Sequence, residues 1–361
     1  MENRLKVGSL FAGIGGICKA FEDSGSDLVW ANEIDKNACI TYRANFSHKL
    51  YEDDIHNLTK KENISNLEDV DIITSGFPCQ AFSIAGYQKG FDDPRGNLFF
   101  ETAKIIDHVR PKAFLLENVR NLVGHDKGRT FEVIKDIIIN KLNYSFIPFV
   151  INSMDYGDIP QNRERIYIVG FRDEGKYDNF NGEIECYNVK VEEEYREMVN
   201  NRKKTGIKTL DFRVPTPIKL NRNIRDLIDE KEQDNYYYYG EDSRYYGPLS
   251  ESITSKDSIY QWRRTYVREN KSNVCPTLTA NMGTGGHNVP IIKDNYGIRK
   301  LTPRECFRFQ GFDDNFILPD IARGQLYKQA GNSVTVTVVS RIAEEIINSL
   351  GADQYVFNLA R

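Results

Sequence analysis

The segment KVGSLFAGIGGICKAF, residues 6–21, leads from a short apolar run through a glycine-rich turn into a helical pattern. The pattern predicts a strand at Lys6–Phe11, a turn at Gly13–Gly16 and a helix at Cys18–Ser24. Glycine lets a backbone turn sharply and approach a ligand closely. A strand that passes through such a turn into a helix is the first unit of an α/β sheet, and this segment decides the fold.

The same alternation continues through the first half of the chain. Strands are predicted at Leu28–Asn32, Asp71–Gly76, Ala113–Leu116, Tyr144–Ile151 and Arg165–Phe171, and helices at Asn37–Asn45, Leu98–Val109 and Thr130–Leu142. Strands separated by helices predict a mostly parallel sheet with helices on both faces. Ligands bind at the carboxyl ends of the strands in such sheets, so the residues that follow the strands are the first candidates for a site.

The alternation stops after Arg172, and residues 173–275 are more polar, with a charged stretch and a tyrosine run. Order returns from Arg299, and Val334–Leu350 has isoleucine and valine at the spacing of a long amphipathic helix. We therefore predict a smaller domain inserted before the final helix of the main domain. The predicted bounds are 1–175 and 326–361 for the main domain and 176–325 for the insert.

Composition excludes several classes of protein. The chain has 361 residues, of which 40% are hydrophobic and 28% charged, an ordinary globular balance. Its net charge of -4 means that any phosphate contact must come from a local basic face. No apolar run is long enough for a membrane span, and the N-terminal residues do not resemble a secretory signal. The six cysteines are Cys18, Cys39, Cys79, Cys186, Cys275 and Cys306. They form no C-x-x-C pair, so neither zinc nor disulfides are expected, and the pattern predicts a reduced, cytoplasmic protein.

Two acidic residues extend the glycine turn into a possible nucleoside site. The turn lacks the full G-x-G-x-x-G pattern, which disfavours a pyrophosphate ligand. Glu33, at the end of the second strand, can accept hydrogen bonds from ribose hydroxyls, and Asp54 can accept one from an adenine amine. The competing interpretation is a tight turn with two solvated carboxylates.

A second motif, SGFPCQ at residues 75–80, follows the strand Asp71–Gly76 and places Cys79 at the ligand-binding edge of the sheet. A lone cysteine is more often a buried structural residue. The loop that follows, Ala81–Asn97, is however rich in glycine, and a loop of that length in a compact domain is usually functional. We expect it to close over a substrate.

Charged residues follow two further strands. Glu117 comes directly after the apolar run AFLL and is expected near the Cys79 loop, although a helix cap or a solvated acid fits as well. Arg163 and Arg165, two residues apart on a strand, point to the same face. They suit phosphate or a polarised ring oxygen, and the alternative is a solvent-exposed strand edge.

Taken in order, these motifs resemble those of DNA (cytosine-5) methyltransferases of the prokaryotic restriction–modification type. The resemblance rests on FAGIGG at 11–16, GFPCQ at 76–80, ENV at 117–119, QNRER at 161–165, RKLTPRECFRFQGF at 299–312 and GNSV at 331–334. It covers residues 4–172 and 272–349, and the rest behaves as the family's target-recognition region does. The resemblance implies a Rossmann-like S-adenosylmethionine-dependent methyltransferase fold with an inserted target-recognition domain.

The family chemistry assigns roles to four residues. Cys79 would attack carbon 6 of a flipped-out cytosine, which makes carbon 5 nucleophilic. Glu117 would contact ring nitrogen N3 and the exocyclic amine, Arg165 the base oxygen, and Arg163 would support the nucleophile and the closed loop. The base that removes the proton from carbon 5 is not identified, and water is a candidate.

The resemblance also assigns the cofactor and DNA contacts, with no metal. S-adenosyl-L-methionine, which leaves as S-adenosyl-L-homocysteine, would be held by Phe11, Ala12, Gly13, Ile14, Gly15, Gly16, Asn32, Glu33, Ile34, Asp54, Ile55, Pro78, Leu98, Asn332 and Val334. Ser83 and Arg95 of the loop are candidate phosphate contacts, the positive charge of residues 259–271 predicts DNA contacts at Gln261, Arg263, Arg264 and Arg268, and Thr277 resembles part of the Thr-Leu element in the family's recognition region. Arginine reads guanine and glutamine reads adenine in the major groove, while the competing interpretation of the basic stretch is a solvated strand.

Several alternative functions stay open at this point. An RNA cytosine methyltransferase would share the chemistry, and a catalytically silent DNA-binding regulator would share the fold. A nucleotide-dependent oxidoreductase is disfavoured by the incomplete glycine pattern, and methylation of base amines by the Phe-Pro-Cys segment. The expected partners are double-stranded DNA and a cognate restriction endonuclease that forms no stable complex with a monomeric, cytoplasmic enzyme.

Overall fold

The computed structural model describes residues 4–78, 98–172, 187–188, 212–263, 265–270, 272–284 and 288–351. The strands are β1 Lys6–Leu10, β2 Asp27–Asn32, β3 Lys49–Tyr51, β4 Ile72–Ser75, β5 Ala113–Val119, β6 Tyr144–Asn152, β7 Gln161–Asn162, β8 Glu164–Arg172, β9 Tyr187–Asn188, β10 Ile259–Arg263, β11 Tyr266–Asn270, β12 Cys275–Pro276, β13 Ile291–Lys293 and β14 Ile298–Lys300. The α-helices are α1 Gly16–Asp23, α2 Lys36–Asn45, α3 Ile55–Leu58, α4 Lys61–Ile64, α5 Leu98–Val109, α6 Arg129–Asp136, α7 Ser153–Tyr156, α8 Tyr246–Ser252, α9 Pro303–Arg308, α10 Arg323–Asn332 and α11 Val336–Ser349.

The main sheet of the described chain has the strand order β3-β2-β1-β4-β5-β8-β6-β9. The strands from β3 to β5 are parallel, and β8 runs antiparallel to both β5 and β6. The predicted mostly parallel α/β sheet is therefore confirmed. Because β8 is reversed, its first residues lie beside the last residues of β5, at the edge where the parallel strands end.

The glycine turn after β1 forms as predicted. Gly13 and Gly15 have φ values of 59° and 92°, in the left-handed region that favours glycine. A Cβ atom on Gly15 would lie 2.1 Å from the ring of Phe46, so the close packing also requires glycine. Phe11 has a φ of 51°, an uncommon value for a residue with a side chain. The turn is thus fixed by both backbone conformation and packing.

Two predicted elements differ from the observed ones in informative ways. The strand predicted to end at Leu116 continues to Val119, so Glu117 and Asn118 lie within a buried strand rather than after it. The helix predicted over 130–142 is α-helical only as far as Asp136. A wider turn follows it, in which the amide of Leu142 donates to the carbonyl of Ile137.

Apolar side chains pack on both faces of the main sheet. One face carries α11, α1 and residues such as Phe307 and Phe309, which fall in the range predicted for the insert. The other face carries α5 and α6. A separate antiparallel sheet, β11-β10-β13-β14, has its own small cluster, and β12 pairs with β7 of the main domain. The bounds of the two domains stay predictions.

Within these described ranges, no helix is long and apolar enough to cross a membrane. The same residues include no group of three or more histidine, cysteine or acidic side chains placed to hold a metal ion. The four described cysteines, Cys18, Cys39, Cys275 and Cys306, are buried and free of disulfides.

Candidate active site

A cavity of about 490 Å³ opens at the edge of the main sheet where the parallel strands end. Its walls come from the ends of β1, β2, β4 and β5, the start of β8 and the end of α10. The predicted cofactor residues that line it are Phe11, Ala12, Gly13, Ile14, Gly16, Asn32, Glu33, Ile34, Asp54, Ile55, Pro78, Leu98, Asn332 and Val334. Gly15 is not in the wall, because it turns the backbone beneath it. Glu117, Arg163 and Arg165 line the same cavity, so one space brings the two predicted sites together.

Glu33 is fixed in place by backbone amides. Its Oε2 accepts from the amide of Gly13 at 2.7 Å, and its Oε1 accepts from Ile34 and Asp35 at 2.9 and 2.8 Å. The bond from Gly13 holds the glycine turn against the end of β2, and the other two bonds fix the orientation of the Glu33 carboxylate. A carboxylate has about four acceptor positions, so Glu33 keeps capacity for a ligand hydroxyl.

The neighbouring wall suits a planar, apolar ring with an amine. Ile34 is 60% exposed although it is apolar, and Ile55 lies buried in the same wall. Asp54 caps α3 and accepts from the amide of His56 at 2.9 Å. That hydrogen bond is the main reason why the pKa of Asp54 is lowered, so the carboxylate stays charged and can accept from an amine.

The cavity lining also contains a buried hydroxyl group that can bond to a ligand. The Oγ atom of Ser333 is buried in the lining and has no hydrogen-bond partner among the residues that the structure describes. No atom of the described ranges lies within 4 Å of the position where Gly13 would carry a Cβ atom, so none of them fills the space above the turn. Together with Glu33, Ile34 and Asp54, these features fit an adenosine with a polar amino-acid tail, as in S-adenosylmethionine.

Glu117 and Arg165 form an ion pair at the other end of the cavity. The Nε atom of Arg165 lies 3.1 Å from Oε1 of Glu117, and about an eighth of each side chain is exposed, 14% and 12%. Tyr167 pairs with Glu117 and Arg165 with Val119, so Glu117 and Arg165 occupy diagonal positions on one face. Burial raises the pKa of Glu117, although the charges of Arg165 and Arg163 act in the opposite direction. Neither the solvated acid nor the exposed strand edge weighed from the sequence is correct.

Arg163 is buried and bonded to backbone carbonyls of two distant segments. Its guanidinium donates to Leu278 at 2.8 Å and to Gly331 at 3.3 Å, with a further bond to Ser333. Burial and the like charge of Arg165 lower the pKa of Arg163 to about 9, which still leaves it charged at neutral pH. Arg163 therefore joins the segment at 278 to the cavity wall at 331–333.

Asn118 is a site residue that the sequence reasoning missed. Its Nδ2 donates to the carbonyl of Phe77 at 2.8 Å, and both groups are buried. A Cβ atom on Gly76 would lie 3.8 Å from Oε2 of Glu117, so the strand that leads to Cys79 passes directly beside the carboxylate. The available signal was the ENV motif at 117–119, in which Asn118 directly follows Glu117.

Other lining residues gave no local signal in the sequence. The Nζ atom of Lys328 lies 2.6 Å from Oδ2 of Asp35, and both side chains line the cavity beside Glu33. Gln329 donates to the carbonyl of Asn37 at 2.9 Å. These contacts join α10 to the start of α2, nearly 300 residues apart in the chain, and only the tertiary fold reveals them.

The structure gives positions for part of the predicted DNA-binding set. Gln261 and Arg263 lie on β10 and Arg268 on β11, and both arginines are exposed. The hydroxyl of Thr277 donates to the carbonyl of Asn162 at 2.6 Å, so Thr277 attaches its segment to the main domain. The predictions for Cys79, Ser83, Arg95 and Arg264 lie outside the described residues.

Sequence comparison relates the chain to DNA-modifying enzymes. The family model described as C-5 cytosine-specific DNA methylase matches residues 5–348. The Type II methyltransferase M.Bsp6I of Bacillus sp. (strain RFL6) is 51% identical over 350 residues, which are 96% of this chain and 99% of the relative. M.HhaI of Haemophilus parahaemolyticus is 36% identical over 364 residues, 97% of each chain.

Structural comparison supports the fold. A DNMT2 variant from Spodoptera frugiperda aligns with a TM-score of 0.66 at 20% identity and covers 96% of this chain and 99% of its own. The Dnmt2 methyltransferase of S. pombe aligns with a TM-score of 0.65, with the same identity and coverage.

Proposed function

The chain belongs to the C-5 cytosine-specific DNA methylase family, and from this premise we propose that it methylates a flipped-out cytosine in double-stranded DNA with Cys79 as the nucleophile. The observation that carries the proposal is the Glu117–Arg165 pair beside the strand that leads to Cys79. Its relatives named Type II methyltransferases support a role in a restriction–modification system.

The reaction needs a nucleophile and a partner for the ring. The Cys79 thiolate forms a bond to carbon 6 of cytosine, and the electron pair of the C5–C6 double bond moves toward N3. Bound S-adenosylmethionine supplies an electrophilic methyl group. After carbon 5 has taken the methyl group, it loses its proton, the C5–C6 double bond re-forms, and the Cys79 sulfur leaves as a thiolate.

Glu117 is suited to hold a proton at N3. Its raised pKa, caused by burial, favours the protonated form when substrate closes the site, while Arg165 limits the shift. A protonated Glu117 donates to N3 as negative charge develops there. The exocyclic oxygen O2 of the flipped cytosine then accepts from N–H groups of Arg165 that Glu117 does not occupy.

Arg163 and Asn118 act as positioning residues in this proposal. Arg163 holds the carbonyls of Leu278, Gly331 and Ser333, and Asn118 holds the carbonyl of Phe77 just before Pro78 and Cys79. Both side chains therefore set backbone segments that border the reacting atoms.

The cofactor proposal follows the cavity wall. Glu33 takes the ribose hydroxyls, Ile34 packs on adenine, and Asp54 accepts from the adenine amine. Asn332, Val334 and Ser333 face the amino-acid tail. We propose S-adenosyl-L-homocysteine as the product and assign no metal to the reaction.

The proposal extends to DNA contacts and cellular setting. Ser83 and Arg95 would contact the DNA backbone from the loop after Cys79, and the target cytosine must leave the duplex to reach the cavity. We expect a cytoplasmic monomer with a separately acting cognate endonuclease. Light scattering tests the monomer, and digestion of methylated and unmethylated host DNA with neighbouring gene products tests the endonuclease.

The decisive experiment uses duplex DNA that contains 5-fluorocytosine, with S-adenosylmethionine present. Fluorine blocks proton loss from carbon 5, so the enzyme should be trapped in a denaturation-resistant complex whose modified peptide contains Cys79. Cys79→Ser should form none, whereas Arg4→Ala, a change at the opposite edge of the sheet, should behave as wild type. Trapping on RNA alone, or no trapping by folded protein that binds the cofactor, would contradict the proposal.

A further inference from the structure

The β10–β11 hairpin has one face packed and one face open. Gln261 pairs with Arg268 and Arg263 with Tyr266, so these four side chains share one face. The alternate residues pack instead, since Tyr260 is in the small cluster and Trp262 and Val267 lie against it. β11 is the edge strand of its sheet in the described chain. The four-residue open face is therefore available to a ligand.

The open face presents hydrogen-bond donors. The Nη2 atom of Arg263 donates to Oε1 of Gln261 at 3.0 Å. A guanidinium has no acceptor, so the amide of Gln261 must meet it with its oxygen and keep its NH₂ group free. The carboxylate of Glu269 is on the opposite face and accepts from the hydroxyl of Ser258 at 2.8 Å.

The β10–β11 hairpin is only a few residues in sequence from a strand that borders the candidate active site. Arg268 is seven residues before Cys275, whose strand β12 pairs with β7 directly before Arg163. Seven residues span at most about 25 Å, even when fully extended. That length corresponds to about seven base-pair steps of DNA, so the open face can reach bases near a cytosine in the cavity.

We propose that the open face of the β10–β11 hairpin reads guanine in the major groove, through Arg263 and the amide N–H of Gln261 that Arg263 orients. The inference rests on the proposed function, because it takes double-stranded DNA as the substrate. Guanine offers two acceptors, N7 and O6, whereas adenine offers one acceptor and one donor. A face that presents N–H donors is therefore matched to guanine.

This assignment differs from the reading of adenine that a glutamine in the major groove can also perform. Bidentate reading of adenine needs the amide oxygen to accept from N6 while the amide nitrogen donates to N7. In the structure that oxygen faces Arg263 instead. The two side chains thus act as one donor unit rather than as two independent readers.

The test is selection of duplexes from a random pool by the full chain with S-adenosylhomocysteine, followed by sequencing. The selected sequence should contain guanine within about seven steps of the cytosine that the fluorocytosine trap identifies. Arg263→Ala should weaken selection at one guanine by about 10- to 100-fold, the loss of one bidentate contact. Gln261→Met should weaken the same position less, and Arg4→Ala should select as wild type.

A base analogue identifies the contact atom. Replacing that guanine by 7-deazaguanine should weaken wild-type binding but leave Arg263→Ala binding almost unchanged, because the variant no longer uses N7. Equal weakening of all sequences by Arg263→Ala, with a smaller salt dependence, would show a phosphate contact and overturn the inference. Since binding is measured apart from trapping, selection of guanine without a covalent complex would contradict the proposed chemistry and leave this inference standing.

Discussion

Two groups of arginine and carboxylate side chains, one buried and one partly exposed, differ in how many of their hydrogen-bonding positions are occupied. Arg299 donates to Asp294 at 2.6 Å and to both oxygens of Glu305 at 2.8 Å, and the side chains of Arg299 and Glu305 are fully buried. In the cavity, Arg165 meets Glu117 through one contact of 3.1 Å. The closed group ties β14 to α9 and has no capacity for a ligand. The incomplete pair keeps donors and acceptors for a substrate.

The largest expected effect comes from the incomplete pair. Glu117→Gln keeps the size of the side chain but removes its exchangeable carboxyl proton. We expect kcat to fall by about 10²- to 10⁴-fold, the usual contribution of a general acid, with no loss of thermal stability. Single-turnover methyl transfer and thermal unfolding measure the two quantities. Loss of stability without loss of kcat would make Glu117 a structural residue.

A substitution in the group of Arg299, Asp294 and Glu305 should instead lower stability and leave activity almost unchanged. Arg299→Met leaves two buried carboxylates without their partner, and we expect a loss of about 3–5 kcal/mol in the free energy of unfolding. Methyl transfer per folded molecule should change little. Urea unfolding measures the loss, and Arg129→Ala, which removes an exposed pair with Asp126, serves as the matched control. Equal effects of the two substitutions would contradict the comparison.

Asn118→Ala should lower both the stability of the protein and the rate of covalent trapping. It leaves the buried carbonyl of Phe77 without a donor, which costs about 1–3 kcal/mol of stability. Because that carbonyl precedes Cys79, we also expect slower trapping by 5-fluorocytosine with an unchanged cofactor KM. An unchanged trapping rate would limit Asn118 to a structural role.

The contributions of Glu117 and Asp294 to folding stability should change in opposite directions as pH rises. The raised pKa of Glu117, caused by burial, means that its ionisation destabilises the fold, so Glu117→Gln should gain stability relative to wild type as pH rises above about 4.3. Burial is the largest single influence on Asp294 and opposes its charge, but the hydrogen bonds from Arg299, Tyr238 and the amides of Tyr296 and Gly297 together outweigh burial and lower the pKa of Asp294. The stability from Asp294 is present above its unfolded pKa of about 3.9 and is lost as pH falls through the lower folded value. Unfolding curves from pH 3 to 8 for wild type and Glu117→Gln measure both trends.

The smallest expected effect concerns the partly exposed pair of Lys328 and Asp35. Pairs of this kind contribute about 0–1 kcal/mol. Lys328→Met should therefore raise the cofactor KM by at most about fivefold, with kcat unchanged. Initial rates at varied cofactor concentration test this, and a large fall in kcat would move Lys328 into the reacting site.

Sequence alone predicted the elements and the motifs better than their contacts. Periodicity placed β1, the glycine turn and α5 because each signal is local. It could not show that β8 is reversed, which is the reason why Arg165 meets Glu117. Nor could it show that Arg163 binds the carbonyls at 278 and 331, since those contacts depend on packing between segments far apart in the chain.

The pairing of β12 with β7 has a consequence for how this protein can change. The segment that follows the β10–β11 hairpin is anchored to the main domain by two paired residues and by the Thr277 hydroxyl, whereas Gln261 on the open face is bonded by Arg263 of the same hairpin. On the proposal that this face reads guanine, substitutions at 261, 263, 266 and 268 should alter base preference while the cavity keeps its geometry. Exchange of residues 259–270 for those of a relative should therefore change the DNA sequence that the protein selects without loss of methyl transfer.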